Sequence, residues 1–393
     1  MEPVRNSHTR IALYRKYRPK KLEDLLGQET NVQILKNAAA AGRLGHAYLF
    51  YGSRGTGKTS TARLIAKLLN CERRRDDAEF RKLGEPCNEC RHCAEIDAQS
   101  SFDVIEIDAA SNRGIDEIRN LKDSIKTSPS SGTYKVYIID EAHMLTTPAF
   151  NALLKTLEEP PAHAVIVLAT TEYEKLPATI TSRTQRFVFK KLPKTKIMEK
   201  LAHIARTEKI EIDEPALELI AAAAEGSLRD AESLLDQISA MHPPSHEASA
   251  RQGSKIGLAD VERITGRVGL KRVHELTALI IQRDLKGCLA YLGELGEDGQ
   301  NMVQFTKDLI HYFRKILSLK MSPALEKVFA GELTADEIEG VRKLGAALDQ
   351  AVAVKLIKSF IRAYSEMRYS PFAVVPLEIA LVENLSQQKG PAE

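Results

Sequence analysis

The chain has 393 residues, of which 43% are hydrophobic and 28% charged, with a net charge of +3. That length allows two or three domains with separate cores, and the composition is that of an ordinary soluble protein. No apolar run is long enough for a membrane helix, so a membrane span is not expected.

In chain order, the first stretch, MEPVRNSHTRIALYRKYRPKK, is basic but has no apolar centre. It is not a secretory signal, and an organellar transit peptide is the minor alternative. Arg5, Arg10, Arg15, Lys16, Arg18, Lys20 and Lys21 crowd this start, and Arg73, Arg74 and Arg75 form a second cluster. Such patches either meet phosphates or are solvated surface. HAYLFYG (46–52) reads as a short strand ending on glycine, and TSTARLIAKLLN (59–70) has apolar residues at helical spacing. VIEID (104–108), KVYIID (135–140) and VIVLATT (165–171) are further β-branched runs separated by amphipathic stretches. Strands alternating with helices predict an α/β fold with a parallel sheet covered on both faces.

After Pro193 the strand signal disappears. KTKIMEKLAHIARTE, PALELIAAAAE and SLRDAESLLDQISA read as helices, and HPPSHEASARQGSK (242–255) is a polar linker. From Leu258 onward VHELTALIIQR, MVQFTKDLIHYFRKILSL and AVAVKLIKSFIRAYSEMR are helical again, and the tail SQQKGPAE is expected to fray.

Two motifs carry chemistry. GSRGTGKT sets Gly52, Ser53, Arg54, Gly55, Thr56, Gly57, Lys58 and Thr59 in the pattern G-x-x-x-x-G-K-[ST], between a predicted strand and a predicted helix. Its glycines let backbone N–H groups point at phosphate oxygens, and the helix N-terminus adds partial positive charge. Lys58 can reach the β- and γ-phosphates, and Thr59 can offer its hydroxyl to Mg²⁺. KVYIIDEAH (135–143) ends a strand on Asp140, which can hold the magnesium through water, while Glu141 can orient the attacking water. Transfer of a phosphoryl group also needs positive charge as the γ-phosphate departs, for which Arg183 and Arg229 are the candidates.

The second motif is C-x₁₅-C-x₂-C-x₂-C, formed by Cys71, Cys87, Cys90 and Cys93. In a chain of this length without an export signal, the spacing argues for a metal site in a reducing, cytoplasmic setting rather than a disulfide framework. Four thiolates suit a closed, structural Zn²⁺ site, with His92 as an alternative ligand and a metal-free cluster as the remaining alternative. Cys288 reads as a core residue.

The order YRKYRPKKLEDLLGQ, HAYLFYGSRGTGKTSTARLIAKLLNC, CNECRHC, DVIEIDAAS, YKVYIIDEAHMLTTPAFNALLKTLEEPP, VLATTEYEKLPATITSR and GSLRDAESLLDQ resembles the gamma/tau subunits of bacterial DNA polymerase III. Those subunits are AAA+ motors of the sliding-clamp loader. The resemblance is dense from Leu13 to about Gln237 and architectural from about 258 to 385. It implies an AAA+ nucleotide-binding domain over 1–192 with a zinc module at 71–93, and a small helical lid over 193–242. A linker over 243–257, a helical collar over 258–385 through which subunits assemble, and a frayed tail over 386–393 complete the expected organisation.

The resemblance also implies roles. Arg183 matches the arginine of the family's Ser-Arg-Cys motif, which reaches the ATP of the neighbouring subunit, although Thr184 stands here for the cysteine. Thr170 matches the sensor at the end of the fourth core strand. Arg229 matches the second sensor arginine, which contacts the γ-phosphate, and Arg18 and Pro19 match the segment flanking the adenine. ATP, Mg²⁺ and Zn²⁺ are the implied cofactors, and the implied partners are further clamp-loader subunits, the sliding clamp and primer-template DNA without sequence preference. Asn112, Arg113 and Arg119 are candidates for DNA phosphates. A helicase is the competing motor, since DEAH occurs at 140–143, but one P-loop domain without a second motor domain argues against it. A scaffold that holds ATP without turnover is the third reading, which Glu141 and Arg183 oppose.

Overall fold

Each strand signal becomes a strand within one or two residues of its expected limits: β1 Ala47–Gly52, β2 Val104–Asp108, β3 Lys135–Asp140 and β4 Ala164–Thr170. In this computed structural model the described residues are 11–112, 115–241, 255–329, 333 and 335–386, without the side chains of 115–117, 119, 120, 327 and 335. A fifth strand, β5 Gln185–Phe189, is not among the strand signals of the sequence. From Arg186 its residues alternate, with Phe187 and Phe189 buried and Arg186 and Val188 exposed, and Gln185 before them is exposed as well. A half-polar edge strand lacks the unbroken apolar run that marks the central ones.

The sheet order is β2-β3-β4-β1-β5 and every pairing is parallel. Tyr48, Phe50, Val136, Ile138, Val165 and Val167 pack on one face with Ala62, Ile65, Leu35, Phe187 and Phe189. Leu49, Tyr137, Ile139, Ile166 and Leu168 pack on the other with Ile118, Leu121, Phe150 and Leu153. Both faces are buried because helices cover both, among them Glu29–Ala40 and Lys58–Asn70 on the first face and Ile115–Ile125 and Thr147–Glu158 on the second. The exposed edge is capped by side chains: Asn31 Nδ2 donates to Val188 O at 2.8 Å and Gln28 Nε2 to Lys190 O at 2.9 Å.

The chain divides into two compact units. The first runs to Leu192 and also takes in Gly226–Asp230; the second comprises Pro193–Glu225 and the chain from Ala231 onward. Within the second unit the described elements are helices, apart from an isolated bridge between Ile212 and Ile256. The helix Met302–Met321 buries Met302, Phe305, Leu309, Phe313 and Ile316, the three-to-four spacing of one apolar face. Cys288 is fully buried in the same core. Most of the expected linker, at 242–254, and the tail from 387 lie outside the described residues. Among the described residues no helix is long and apolar enough to cross a membrane.

Candidate nucleotide-binding site and cysteine cluster

Parallel strands place their C-terminal ends on one edge, where open α/β sheets carry their ligand sites. Register sets Tyr51 of β1 beside Thr170 of β4, and β3 beside β4 on its other side. Gly52, Asp140 and Thr170 therefore end neighbouring strands. From Gly52 the chain turns through φ values of 141° at Gly52, 70° at Gly55 and 104° at Gly57 before entering the helix at Lys58. Space restricts two of these positions further. A Cβ on Gly52 would stand 2.1 Å from Phe189 O, and one on Gly55 would stand 1.9 Å from Ser227 Oγ.

Lys58 is 6% exposed, and its Nζ donates to Gly52 O and Ser53 O, both at 2.8 Å, so the ammonium sits inside the loop. Burial pulls it below the usual lysine range, and the charges of Glu141 and Asp140 oppose that pull. Thr56 Oγ1 donates to Ser53 O at 2.8 Å and closes the turn, while Arg54 stands exposed. Thr59 Oγ1 donates to Asp140 Oδ2 at 2.8 Å, which brings together the hydroxyl and carboxylate expected to share a magnesium ion.

Glu141 follows Asp140 in left-handed backbone, at φ 47°, uncommon for a residue with a side chain and a form of strain that gathers at functional sites. Its Oε2 accepts from Thr171 Oγ1 at 2.9 Å and Thr171 N at 3.3 Å. Thr170 Oγ1 lies 2.9 Å from His143 Nδ1 and accepts from Glu172 N at 3.0 Å. His143 and Thr171 belong to this network although neither was singled out from sequence. The DEAH run contained His143, but its relation to Thr170 arises only from the pairing of β3 with β4.

The segment Gly226–Asp230 lies on the phosphate loop. Leu228 N donates to Gly55 O at 3.2 Å, and Arg229 places its guanidinium 5.0 Å from the centre of the Tyr14 ring. Arg229 thus belongs to the unit that holds the loop, and Tyr14, from the basic start, is its aromatic neighbour. Arg18 and Pro19 are half-buried, and among the described residues no hydrogen bond joins their side chains to the loop.

Arg183 is apart from this group. Its Nε and Nη2 reach Glu158 Oε1 at 2.6 and 2.5 Å, and Nη1 donates to Thr179 O at 2.8 Å. The acid it meets is 25 residues away in sequence, at the end of the helix Thr147–Glu158. Asn112 turns back on its own strand, with Nδ2 donating to Asp108 O at 3.0 Å. Arg113 and the side chain of Arg119 lie outside the described residues.

The four cysteines converge. The Sγ atoms of Cys71, Cys87, Cys90 and Cys93 all lie within 4.8 Å of one another. Cys87 Sγ also accepts from Cys90 N at 3.3 Å and Glu89 N at 3.4 Å. The Cys93 thiol, donating to Cys71, pushes Cys71 down to about 4, and the same contact raises Cys93. His92 points elsewhere, with Nε2 3.6 Å from Glu72 and Nδ1 3.9 Å from Glu95. One residue of the basic cluster is not surface at all. Arg74 is 5% exposed and donates to Leu68 O, Ala39 O, Arg81 O and Glu85 O, so it fastens this segment to the fold instead of facing phosphates.

Comparison with known proteins accounts for nearly the whole chain. Residues 27–193 match the family described as DNA polymerase III, delta subunit. Residues 196–241 match the clamp loader subunit ATPase lid domain, and residues 256–393 match domain III of subunits gamma and tau. The chain is 42% identical over 372 residues to DNA polymerase III subunit tau of Bacillus subtilis, covering 95% of this chain and 62% of that one. It is 36% identical over 374 residues to the tau subunit of Escherichia coli, covering 95% and 55%, and 35% identical over 385 residues to the gamma/tau subunit of Mycobacterium tuberculosis, covering 98% and 64%. It spans between 55% and 64% of the length of these three relatives. With lid and gamma/tau domains matched in order behind a P-loop sheet, the chain belongs to the DNA polymerase III gamma/tau family of clamp-loader subunits.

Proposed function

We propose that the chain is an ATP-hydrolysing motor subunit of the DNA polymerase III clamp loader. In this reading ATP binding opens and places the sliding clamp on primed DNA, and hydrolysis releases it. The observation that carries the proposal is the convergence of Lys58, Thr59, Asp140, Glu141 and Thr170 on one sheet edge, with Arg229 brought to the same phosphate loop. Family membership supports it.

The residues present fit ATP and Mg²⁺. Loop N–H groups and the helix N-terminus suit phosphate, and the Thr59–Asp140 pair suits an oxygen-ligated magnesium ion. When bound, nucleotide and metal supply the transferable phosphoryl group and charge neutralisation. Lys58 then exchanges carbonyl partners for phosphate oxygens, Glu141 orients and deprotonates water, Thr170 and Arg229 contact the γ-phosphate, and Arg18 and Pro19 flank the base. Arg183 exchanges Glu158 for the nucleotide of a neighbouring copy or a related subunit.

The cysteine cluster fits structural zinc. Zn–S bonds of about 2.3 Å require sulfurs about 3.8 Å apart in a tetrahedron, and Cys87 and Cys93 stand at 3.9 Å. The collar helices provide assembly with other subunits. Primer-template DNA is held through phosphates, with Asn112, Arg113 and Arg119 as contributors, and a cytoplasmic setting fits a replication protein.

The test is complementation between interfaces. An Arg183→Ala subunit keeps its own loop, and a Lys58→Ala subunit keeps its arginine. Each alone is expected to hydrolyse ATP poorly with clamp and primed DNA, whereas co-assembled mixtures contain interfaces with both parts intact. Activity above the sum of the separate assemblies is expected. No gain, with mixed oligomers demonstrated, overturns the inter-subunit role of Arg183.

A further inference from the structure

We infer that His143 is a positioning residue that ties the candidate base Glu141 to the candidate γ-phosphate contact Thr170, an inference that rests on the ATPase reading above. His143 is buried between three elements of the site. Its side chain is 7% exposed, and both ring nitrogens have partners. Nδ1 lies 2.9 Å from Thr170 Oγ1 and 3.4 Å from Glu141 Oε2, and Nε2 lies 3.2 Å from Glu172 Oε1. Glu172 is held in turn by Lys175 at 2.7 Å.

The chemistry of these partners gives the ring a task. A carboxylate can only accept, so Nε2 carries the proton that meets Glu172. Nδ1 is then the atom that meets the Thr170 hydroxyl, and Glu172 N–H occupies the same hydroxyl oxygen from the other side. The direction of the Thr170 O–H is thereby set by the imidazole. Glu141 has left-handed backbone and its Oε2 is already held by Thr171; with Nδ1 taken up by the Thr170 hydroxyl, the imidazole edge stands 3.4 Å from that oxygen and limits its position by contact, not by a hydrogen bond. Oε1 is the oxygen left to face water. One buried ring thus fixes two groups that must act on the same phosphate, and small misplacement of such groups costs rate more than affinity.

The test uses the full chain assembled with its clamp-loader partners, with clamp and primed DNA. Turnover and the affinity for a fluorescent ATP analogue are measured for His143→Leu, His143→Asn and Glu141→Gln. Removing the polar ring in His143→Leu is expected to lower kcat roughly 10- to 100-fold while KM and analogue affinity stay within about twofold. His143→Asn keeps a polar atom near the place of Nδ1 and is expected to recover most of that loss. Wild-type kcat in His143→Leu, beside an inactive Glu141→Gln, overturns the inference and leaves the ATPase reading standing. So does an equal loss in His143→Asn, or a fall in affinity that matches the fall in kcat, since either marks a structural role. Wild-type turnover in Glu141→Gln removes Glu141 from the base role and overturns this inference with it, whereas absence of ATP turnover in the wild-type assembly overturns the ATPase reading itself.

Discussion

The phosphate loop and the cysteine cluster sit at opposite ends of one helix, Lys58–Asn70, and hold their shapes by different means. The loop site draws on residues 52–59, 140–143 and 170–172, separated in sequence and aligned by the register of β1, β3 and β4. Its backbone is fixed by buried strands, and its side chains already have partners within the protein. The cluster draws on residues 71–93, a local excursion with short helices, whose central feature is a set of four sulfurs. Near-identical thiols at such spacing have no strong attraction of their own. The first site should therefore outlast the removal of its ligand, and the second should not.

The largest expected effect follows from that difference. Structural zinc sites carry on the order of 10–16 kcal/mol of apparent binding free energy at neutral pH. Cys90→Ser, or a strong chelator, is expected to reduce zinc from one equivalent to below about one-tenth and to open residues 71–93 to proteolysis, with ATP binding retained. Metal analysis, limited digestion and nucleotide titration on the same sample check this. Loss of ATP binding in step with the metal would make the two sites one structural system.

An intermediate effect is expected at Arg74, which joins the excursion to the fold through four carbonyls. Arg74→Ala removes charge-assisted bonds and takes the guanidinium from the carbonyls of Leu68 and Glu85, while Ala39 O and Arg81 O keep the N–H groups of Gly42 and Gly84, at a cost of about 3 kcal/mol. Denaturant unfolding should register that loss, while Arg75→Ala, which removes an exposed pair with Asp76, should leave the curve unchanged. Equal effects of the two would mean that Arg74 is no anchor.

The smallest effect is expected at Glu158. Its ion pair with Arg183 joins two partly exposed side chains, 48% and 35% exposed, and such pairs contribute roughly 0.2–1 kcal/mol. Glu158→Gln should shift stability by less than about 1 kcal/mol. The release of Arg183 toward another subunit that is proposed above would then meet little local resistance. A loss above about 2 kcal/mol would instead make the pair a structural element of the sheet domain.

What was legible in the sequence was local. The P-loop declares itself within eight residues, and the strand before it and helix after it follow from hydrophobic period. The cysteine spacing likewise needed no tertiary information. What was not legible depended on distance in sequence. Arg183 has no acid beside it in the chain, and its partner Glu158 is 25 residues away. Arg74 looked like one of three basic surface residues until the carbonyls of Ala39 and Glu85 came to meet it. His143 gains meaning only because β3 lies against β4, and β5 escaped notice because an edge strand with one wet face carries a weak signal.

The helix between the two sites is also a ruler. Its 13 residues at about 1.5 Å each span close to 20 Å, and every peptide along it is fixed by hydrogen bonds to the next turn. A spectroscopically active metal seated among the sulfurs and a labelled nucleotide beside Lys58 would be separated by this rod, with no flexible loop contributing to the distance. If the chain works within the proposed assembly, their separation would be set by this helix and not by the neighbouring subunits, so the pair gives an internal length standard against which larger displacements can be calibrated.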